Sequence, residues 1–329
     1  MADPKQTHIA REFASDAPLT CVRFDPKGRF LFGGAENRMI TRWDLASDKK
    51  VNLKGHESWI GDLAMTPDGE MLISAGYDDT LVWWPVAAEA PSPIRTVKAH
   101  QGWIRSVAIS RDGKFVASGG NDKAVRLWNV ADGSAVREMR AHERDVYSVA
   151  FHPSGAFLLS GDLMGQIHQW DMANGNKLRT FDAAPLHMYE GGQAVHYGGV
   201  RGLTFSLDTK WLAAGGLHKA TNPLGNVQEP LAIRFDWESG KAVKSHLAEG
   251  LANHTLWGVT FHPQGFLIGV AGGGGGHLLF WNEGDDKPFH KFDLPDTARG
   301  IDLHPDGLRV AVAHHGNKAR VCLLAPKEK

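Results

Sequence analysis

The sequence predicts an all-β fold made of seven repeated units, each of three or four short antiparallel strands, and three observations carry that expectation. The first is a period: Trp43, Trp84, Trp128 and Trp170 follow one another at 41, 44 and 42 residues. Each ends a short stretch alternating apolar and polar residues, "MITRWDL", "TLVWWPV", "AVRLWNV" and "QIHQWDM". The second is a turn marker in phase with it: "DPKG", "TPDG", "SRDG", "HPSG", "HPQG" and "HPDG", beginning at Asp25, Thr66, Ser110, His152, His262 and His304. Pro, Asp and Gly in this order pre-set a tight turn. The third is that helical periodicity is scarce, whereas alternating runs such as "SVAIS" and "FVAS" flank the turns as strands would.

The remaining units follow from the same markers. Phe235 in "LAIRFDW" takes the tryptophan slot 65 residues after Trp170, Trp281 follows after 46, and Leu324 in "RVCLLAP" after 43. The fifth unit carries "SLDT" from Ser206 in place of the turn marker. Two insertions flank it. About 10 to 12 residues are added around "APLHMYEGGQAVHYGG", and 11 around "LHKATNPLGNVQEP".

These features resemble the WD-repeat family of β-propellers, on the Gly55–His56 pair, the Trp43–Asp44 and Trp170–Asp171 pairs and the period of 40-odd residues. The resemblance covers nearly the whole chain and implies one domain over residues 1–329, a seven-bladed β-propeller with four-stranded antiparallel blades. It also implies a buried Asp–His–Ser/Thr–Trp hydrogen-bond chain in each repeat. Repeat 2 offers His56, Ser74, Asp78 and Trp84, and repeat 3 offers His100, Ser118, Asp122 and Trp128, with identical internal spacings of 18, 4 and 6. Repeat 4 keeps His142, Ser160 and Trp170 but has Met164 where the aspartate is expected; repeats 1, 5, 6 and 7 depart further. The seventh repeat shows only three strands. "IAREFAS", from Ile9, resembles the outer-strand segments "VREMRAH", "IRTVKAH" and "LRTFDAA", so residues 1–15 are expected to close the ring.

Composition narrows the function. With 36 basic and 37 acidic residues the net charge is −1, which lacks the basic footprint of a nucleic-acid binder. No uncharged run reaches the ~18 residues of a membrane span, and "MADPKQTHIAREF" has no signal-type apolar core. Cys21 and Cys322 form neither zinc spacing nor a disulfide framework. The expectation is a cytoplasmic protein without cofactor, nucleic acid or membrane partner, a monomer or a subunit of a larger complex.

By the resemblance, the residue after the first buried aliphatic of each innermost strand faces the mouth of the central channel, at the rim where partners dock. Those residues are Thr20, Gly61, Arg105, Tyr147, Arg201, Trp257 and Arg299, with Trp59 and Trp103 beside them. Arginine interleaved with aromatics suits cation–π contacts and a bidentate grip on carboxylate, so Arg105, Tyr147, Arg201, Trp257, Arg299, Trp59 and Trp103 are the expected partner-binding residues and the partner an acidic protein segment. A purely structural reading stands beside it, with the arginines solvated or paired to a carboxylate such as Asp145.

The loops of blades 5 to 7 also carry His187, His196, His218, His254, His277, His314 and His315. These suggest the alternative, a metal-dependent hydrolase. His196 falls four residues before Val200, as His56, His100 and His142 precede their own strands, and is expected to be structural. No nucleophile elbow, zinc-helix motif or activated cysteine is present, so neither a catalytic nor a metal residue is assigned. The run Gly272 to Gly276 precedes a strand and not a helix, which argues against a phosphate loop. It is expected to form the rim loop of blade 6 and to give a partner's backbone room to approach.

Overall fold

The computed structural model describes residues 1–220 and 227–327. It contains seven four-stranded antiparallel sheets arranged as blades about a central channel. Blade 1 runs Leu19–Phe24, Phe30–Ala35, Met39–Asp44, Lys50–Lys54; blade 2 Ile60–Met65, Met71–Gly76, Thr80–Pro85, Arg95–Lys98. Blade 3 is Ile104–Ile109, Phe115–Gly120, Ala124–Asn129, Ala135–Arg140, and blade 4 Val146–Phe151, Phe157–Asp162, Gln166–Asp171, Lys177–Asp182. Blade 5 is Gly202–Phe205, Trp211–His218, Glu229–Asp236, Ala242–Leu247, and blade 6 His254–Phe261, Leu267–Gly273, Gly276–Trp281, His290–Leu294. Blade 7 contributes Ala298–Leu303, Arg309–His314 and Lys318–Leu324, and its outermost strand is Thr7–Ala14 from the other end of the chain. Closing on itself, the ring leaves no innermost strand without neighbouring blades on both sides.

The core is divided among the seven contacts between adjacent blades. Phe32, Ile40 and Leu53 of blade 1 bury against Ile60, Leu72 and Trp84 of blade 2, and a comparable apolar cluster fills each of the other six contacts. At the closing contact Phe13, Leu19 and Trp43 pack on Ala311, Ala313 and Val321. Each buried Leu, Ile or Phe contributes about 1.5–3 kcal/mol, so every blade depends on both its neighbours.

Inside blades 2 and 3 the polar chain is complete. Trp84 Nε1 donates to Ser74 Oγ at 2.8 Å, Ser74 meets His56 Nε2 at 2.6 Å, and His56 Nδ1 meets Asp78 Oδ2 at 3.0 Å. In blade 3 the corresponding distances through Trp128, Ser118, His100 and Asp122 are 3.0, 2.7 and 2.8 Å. Burial alone would raise Asp78 and Asp122, but the hydrogen bonds from His56 and His100 outweigh it and hold both carboxyls below their usual range.

Blade 4 corrects the expectation drawn from Met164. Its chain is also complete, because Asp162 accepts from His142 Nδ1 at 2.8 Å. Asp162 occupies the position of Gly76 and Gly120, where an added Cβ on Gly76 would come within 2.4 Å of His56 Nδ1. The carboxylate arrives at the same place from a backbone position two residues earlier.

The departure expected of repeats 1 and 6 takes a definite form, and two further expectations, on Leu324 and His196, are revised. Glycine replaces the serine in blades 1 and 6: the rings of Trp43 and Trp281 lie directly over Gly33 and Gly269, and their Nε1 groups donate to the carbonyls of Ala14 and Leu247, each at 3.2 Å. In blade 7 the register pairs Val310 with Cys322 as Leu72 pairs with Trp84, so Cys322 holds the tryptophan slot and Leu324 lies two residues beyond. His196 does not join a buried chain. It sits in an added hairpin, His187–Glu190 with Val195–Gly198, and its place is filled by the buried Leu186 beside Gly216. Of the second insertion, residues 221–226 lie outside the described residues. Among the described residues no helix is long and apolar enough to cross a membrane.

Candidate binding site at the channel mouth

In six blades the innermost strand carries a register shift around the residue after its first buried aliphatic: between Leu19 and Cys21, Ile60 and Asp62, Ile104 and Ser106, Val146 and Ser148, Leu256 and Gly258, Ala298 and Gly300. The skipped residues are Thr20, Gly61, Arg105, Tyr147, Trp257 and Arg299. A bulge leaves its extra residue out of the ladder and re-aims its side chain, here into the channel, which all six line together with Arg201. In blade 5 Arg201 stands just ahead of the strand and is tied by its backbone N–H to the Gly215 carbonyl at 2.8 Å.

The polar side chains below the rim bind the blades together. Thr20 Oγ1 donates to the Ile60 carbonyl at 2.7 Å, and Asp62 accepts from the Val107 N–H at 3.0 Å. Ser106 Oγ accepts from Val149, and Ser148 Oγ donates to Val200. Arg23 spans the closing contact, 3.1 Å from Asp302 of blade 7 and 3.4 Å from Asp62 of blade 2. Burial raises both of these carboxyls, with Arg23 opposing it. The mouth is therefore mounted on a stiff frame.

At the mouth the aromatics and arginines form a continuous band. Trp59, Tyr77 and Trp103 stack in sequence, with centroids 6.2 and 4.6 Å apart and the second pair within 3° of parallel. Trp59 and Trp103 remain 44% and 46% exposed, so the stack presents a face to solvent. The Arg105 guanidinium lies 4.8 Å from the Trp103 ring and 5.2 Å from both Tyr77 and Tyr147. Arg201 lies between Tyr147 at 4.1 Å and Trp257 at 5.3 Å. Tyr77 was not anticipated from the sequence. It opens the rim loop after Gly76, and only its equivalence to Asn121, which accepts from Arg105 Nε at 2.8 Å, marks that slot as facing the mouth.

The three arginines differ in charge balance. Arg299 forms an ion pair with Glu36 of the neighbouring blade. Arg105 and Arg201 make no ion pair among the described residues, and neither does Asp145. The Arg201 Nε is buried without a hydrogen-bond partner. Burial lowers the Arg201 pKa, Tyr147 counters it, and the charge of Arg105 lowers it further. Among the described residues two guanidiniums thus face a channel of about 860 Å³ without an ion-paired carboxylate, although Asp145 is near enough for Arg105 to oppose the rise that burial gives its carboxyl.

The glycine run borders a second cleft of about 480 Å³ that shares Trp257 and Arg299 with the mouth. A Cβ on Gly272 would lie 1.8 Å from the Ala298 carbonyl oxygen, and one on Gly273 1.8 Å from that of Asn253. Close approach of backbones therefore requires glycine at 272 and 273, and also at 276, where a Cβ would lie 2.3 Å from the Asp296 carbonyl oxygen. Gly274 and Gly275 meet only His254 and His277, no nearer than 3.5 Å.

The seven histidines are dispersed. His187 Nε2 bonds His196 Nδ1 at 2.8 Å, His218 lies 3.5 Å from Glu229, and buried His314 is 3.0 Å from the Asp296 carbonyl. His254 and His277 adjoin each other, with ring centroids 4.8 Å apart, and His315 is exposed. Among the described residues no three His, Cys, Asp or Glu side chains converge as ligands to one ion. Burial pushes the Cys21 and Cys322 thiols up to about 12, so both are held as unreactive thiols.

Comparison with known proteins adds the following. The family model "WD domain, G-beta repeat" matches residues 7–44, 47–85, 91–129 and 133–171. The chain is 37% identical over 71 residues to the guanine nucleotide-binding protein subunit beta of Schizosaccharomyces pombe, covering 21% of this chain and 23% of that one. It is 32% identical over 69 residues to the small ribosomal subunit protein RACK1y of Oryza sativa subsp. japonica, covering 20% of each. Over 85 residues it is 29% identical to the nuclear distribution protein PAC1 of Arthroderma otae, covering 23% and 18%. Each match thus spans under a quarter of either chain.

Proposed function

We propose that this chain, a member of the WD-repeat propellers, is a non-catalytic platform that grips an acidic segment of a partner protein at its channel mouth. The observation that carries this reading is the pair Arg105 and Arg201, held between aromatic rings and without an ion-pair partner among the described residues. A carboxylate arriving there gains charge-assisted hydrogen bonds from both guanidiniums, of which the Arg201 Nε has no other partner. Trp59, Trp103 and Trp257 supply the aromatic surface on which binding energy concentrates. Arg299, already neutralised by Glu36, orients the neighbouring wall.

Support of a coarser kind comes from the relatives, two of whose names describe subunits of larger assemblies. Among the described residues no three histidine, cysteine or carboxylate side chains gather, so the hydrolase reading has no three-ligand site behind it. The test is affinity purification from the native host with wild type and the Arg105→Glu/Arg201→Glu double variant. Wild type is expected to retain a partner that moderate salt releases and that the folded double variant fails to capture. An unchanged set of captured proteins overturns the reading.

A further inference from the structure

The glycine run leaves two imidazoles facing each other. His254 opposes Gly273 across one strand pair, Gly272 opposes Gly276 across the next, and His277 follows Gly276. No side chain stands between the rings, because positions 273 to 275 are all glycine. A side chain at 275 would begin 3.7 Å from His254 Nε2 and 3.9 Å from His277 Nε2, so both nitrogens face the same small volume.

The hydrogen bonds behind the rings define what those nitrogens can do. His254 Nδ1 lies 2.8 Å from the Ala252 carbonyl, which can only accept, so Nδ1 carries the proton. His277 Nδ1 lies 2.8 Å from Asp293 Oδ1, whose carboxylate is kept ionised by Lys291 at 2.9 Å. In the neutral tautomer that these bonds select, each ring leaves its Nε2 as the free nitrogen on the side of the glycines, and that of His254 is buried without a partner. The pair His187 and His196 differs, since one ring is spent on hydrogen-bonding the other.

We infer that His254 and His277 form a two-imidazole site for a first-row transition cation such as copper(II) or zinc, seated over Gly275. An imidazole whose other nitrogen donates to a carbonyl or carboxylate is the arrangement in which histidine binds metal, with ring orientation and tautomer already set, and copper(II) stands highest among divalent ions for nitrogen ligands. Water completes the coordination on the open side. The site accounts for the residues that the rim loop leaves at 274 and 275, where backbone packing makes no demand. It does not depend on the Arg105/Arg201 grip.

The experiment is titration of the full, tag-free chain with copper(II), followed by calorimetry and by electron paramagnetic resonance. One saturable site is expected, with nitrogen hyperfine structure from two imidazoles. His277→Gln, whose ring is the more exposed, and His254→Gln are each expected to abolish it, and Asp293→Asn to weaken it about tenfold. His187→Gln should leave it unchanged. Melting curves without metal separate a folding defect from lost binding, and the more exposed His277 keeps the test usable if His254→Gln unfolds. Absence of saturable binding in wild type, or binding that survives His277→Gln, overturns the assignment.

Discussion

Blades 2 to 4 and blades 5 to 7 adopt the same four-stranded sheets, but they are held by different means. In the first group a tryptophan, a serine, a histidine and an aspartate form a buried chain from the outer core to the rim. In the second the tryptophan slots hold Phe235, Trp281 and Cys322 and the serine slots hold Ala214, Gly269 and Val312, so no serine is there to receive an indole N–H. The family model matches only as far as residue 171, the end of the third strand of blade 4. A propeller needs each blade to bury its faces against two neighbours; it does not need each blade to satisfy the same polar groups. Once the neighbours supply the packing, a blade can lose its polar chain and still close the ring. The second group also holds both insertions, the glycine run and seven rim histidines.

The strongest way to challenge this comparison is to remove the aromatic anchor from one blade of each kind. Trp128→Ala is expected to cost about 3–5 kcal/mol, and Phe235→Ala a similar amount, since both vacate a closely packed contact between blades. The distinction appears on subtler change. Trp128→Phe deprives Ser118 of its indole donor and adds about 1–3 kcal/mol of polar imbalance, a term that does not exist in blade 5. Denaturant unfolding measures all three, and equal costs for Trp128→Phe and a volume-matched change at Phe235 would erase the contrast.

Acid should separate the groups as well. Asp78 and Asp122 have folded pKa values below the ~3.9 of an unfolded aspartate. On acidification the unfolded chain therefore takes up protons first, so their stabilisation is complete above about pH 5 and is lost as pH falls through 4 and below. The Asp78→Asn/Asp122→Asn variant is expected to be less stable at pH 7 and to show a flatter decline between pH 5 and 3. An unaltered slope would mean that these carboxylates contribute nothing specific to the native state.

Blade 4 lies between the two groups, and it shows what could be read in the sequence. The chains of blades 2 and 3 were legible because their spacing of 18, 4 and 6 repeats without change. The blade 4 carboxylate was not, because Asp162 reaches His142 from a slot that elsewhere holds glycine, and spacing records backbone position and not where an atom ends up. The channel-mouth positions were legible through the family resemblance, which places the residue after the first buried aliphatic at the mouth, an offset that the structure shows as a bulge in six blades. Their partners were hidden: Glu36 meets Arg299 across the closed ring from 263 residues away. Asp162→Gly is expected to cost about 1–3 kcal/mol by leaving His142 Nδ1 unpaired, and Met164→Asp in that background should recover most of it by delivering the carboxylate from the position that Asp78 and Asp122 use. Failure of the rescue in thermal melts would show that the two positions are not interchangeable.

The smallest expected effects sharpen the account of the glycine run. Five consecutive glycines suggest a single purpose, yet their surroundings differ. Gly273→Ala would place a Cβ 1.8 Å from the Asn253 oxygen, which only backbone movement can relieve, and is expected to lower stability by about 1–3 kcal/mol. Gly274→Ala meets nothing closer than His254 Cε1 at 3.5 Å and needs no left-handed backbone. Restricting the unfolded chain there should raise stability by about 0.4–1 kcal/mol. Opposite signs from adjacent residues would divide the run into three glycines, 272, 273 and 276, required by backbone packing and two, 274 and 275, that keep the space over His254 and His277 open. Destabilisation by both would instead mean that the whole loop is held in one close-packed conformation, in which case alanine at 274 is excluded for the same steric reason as alanine at 273.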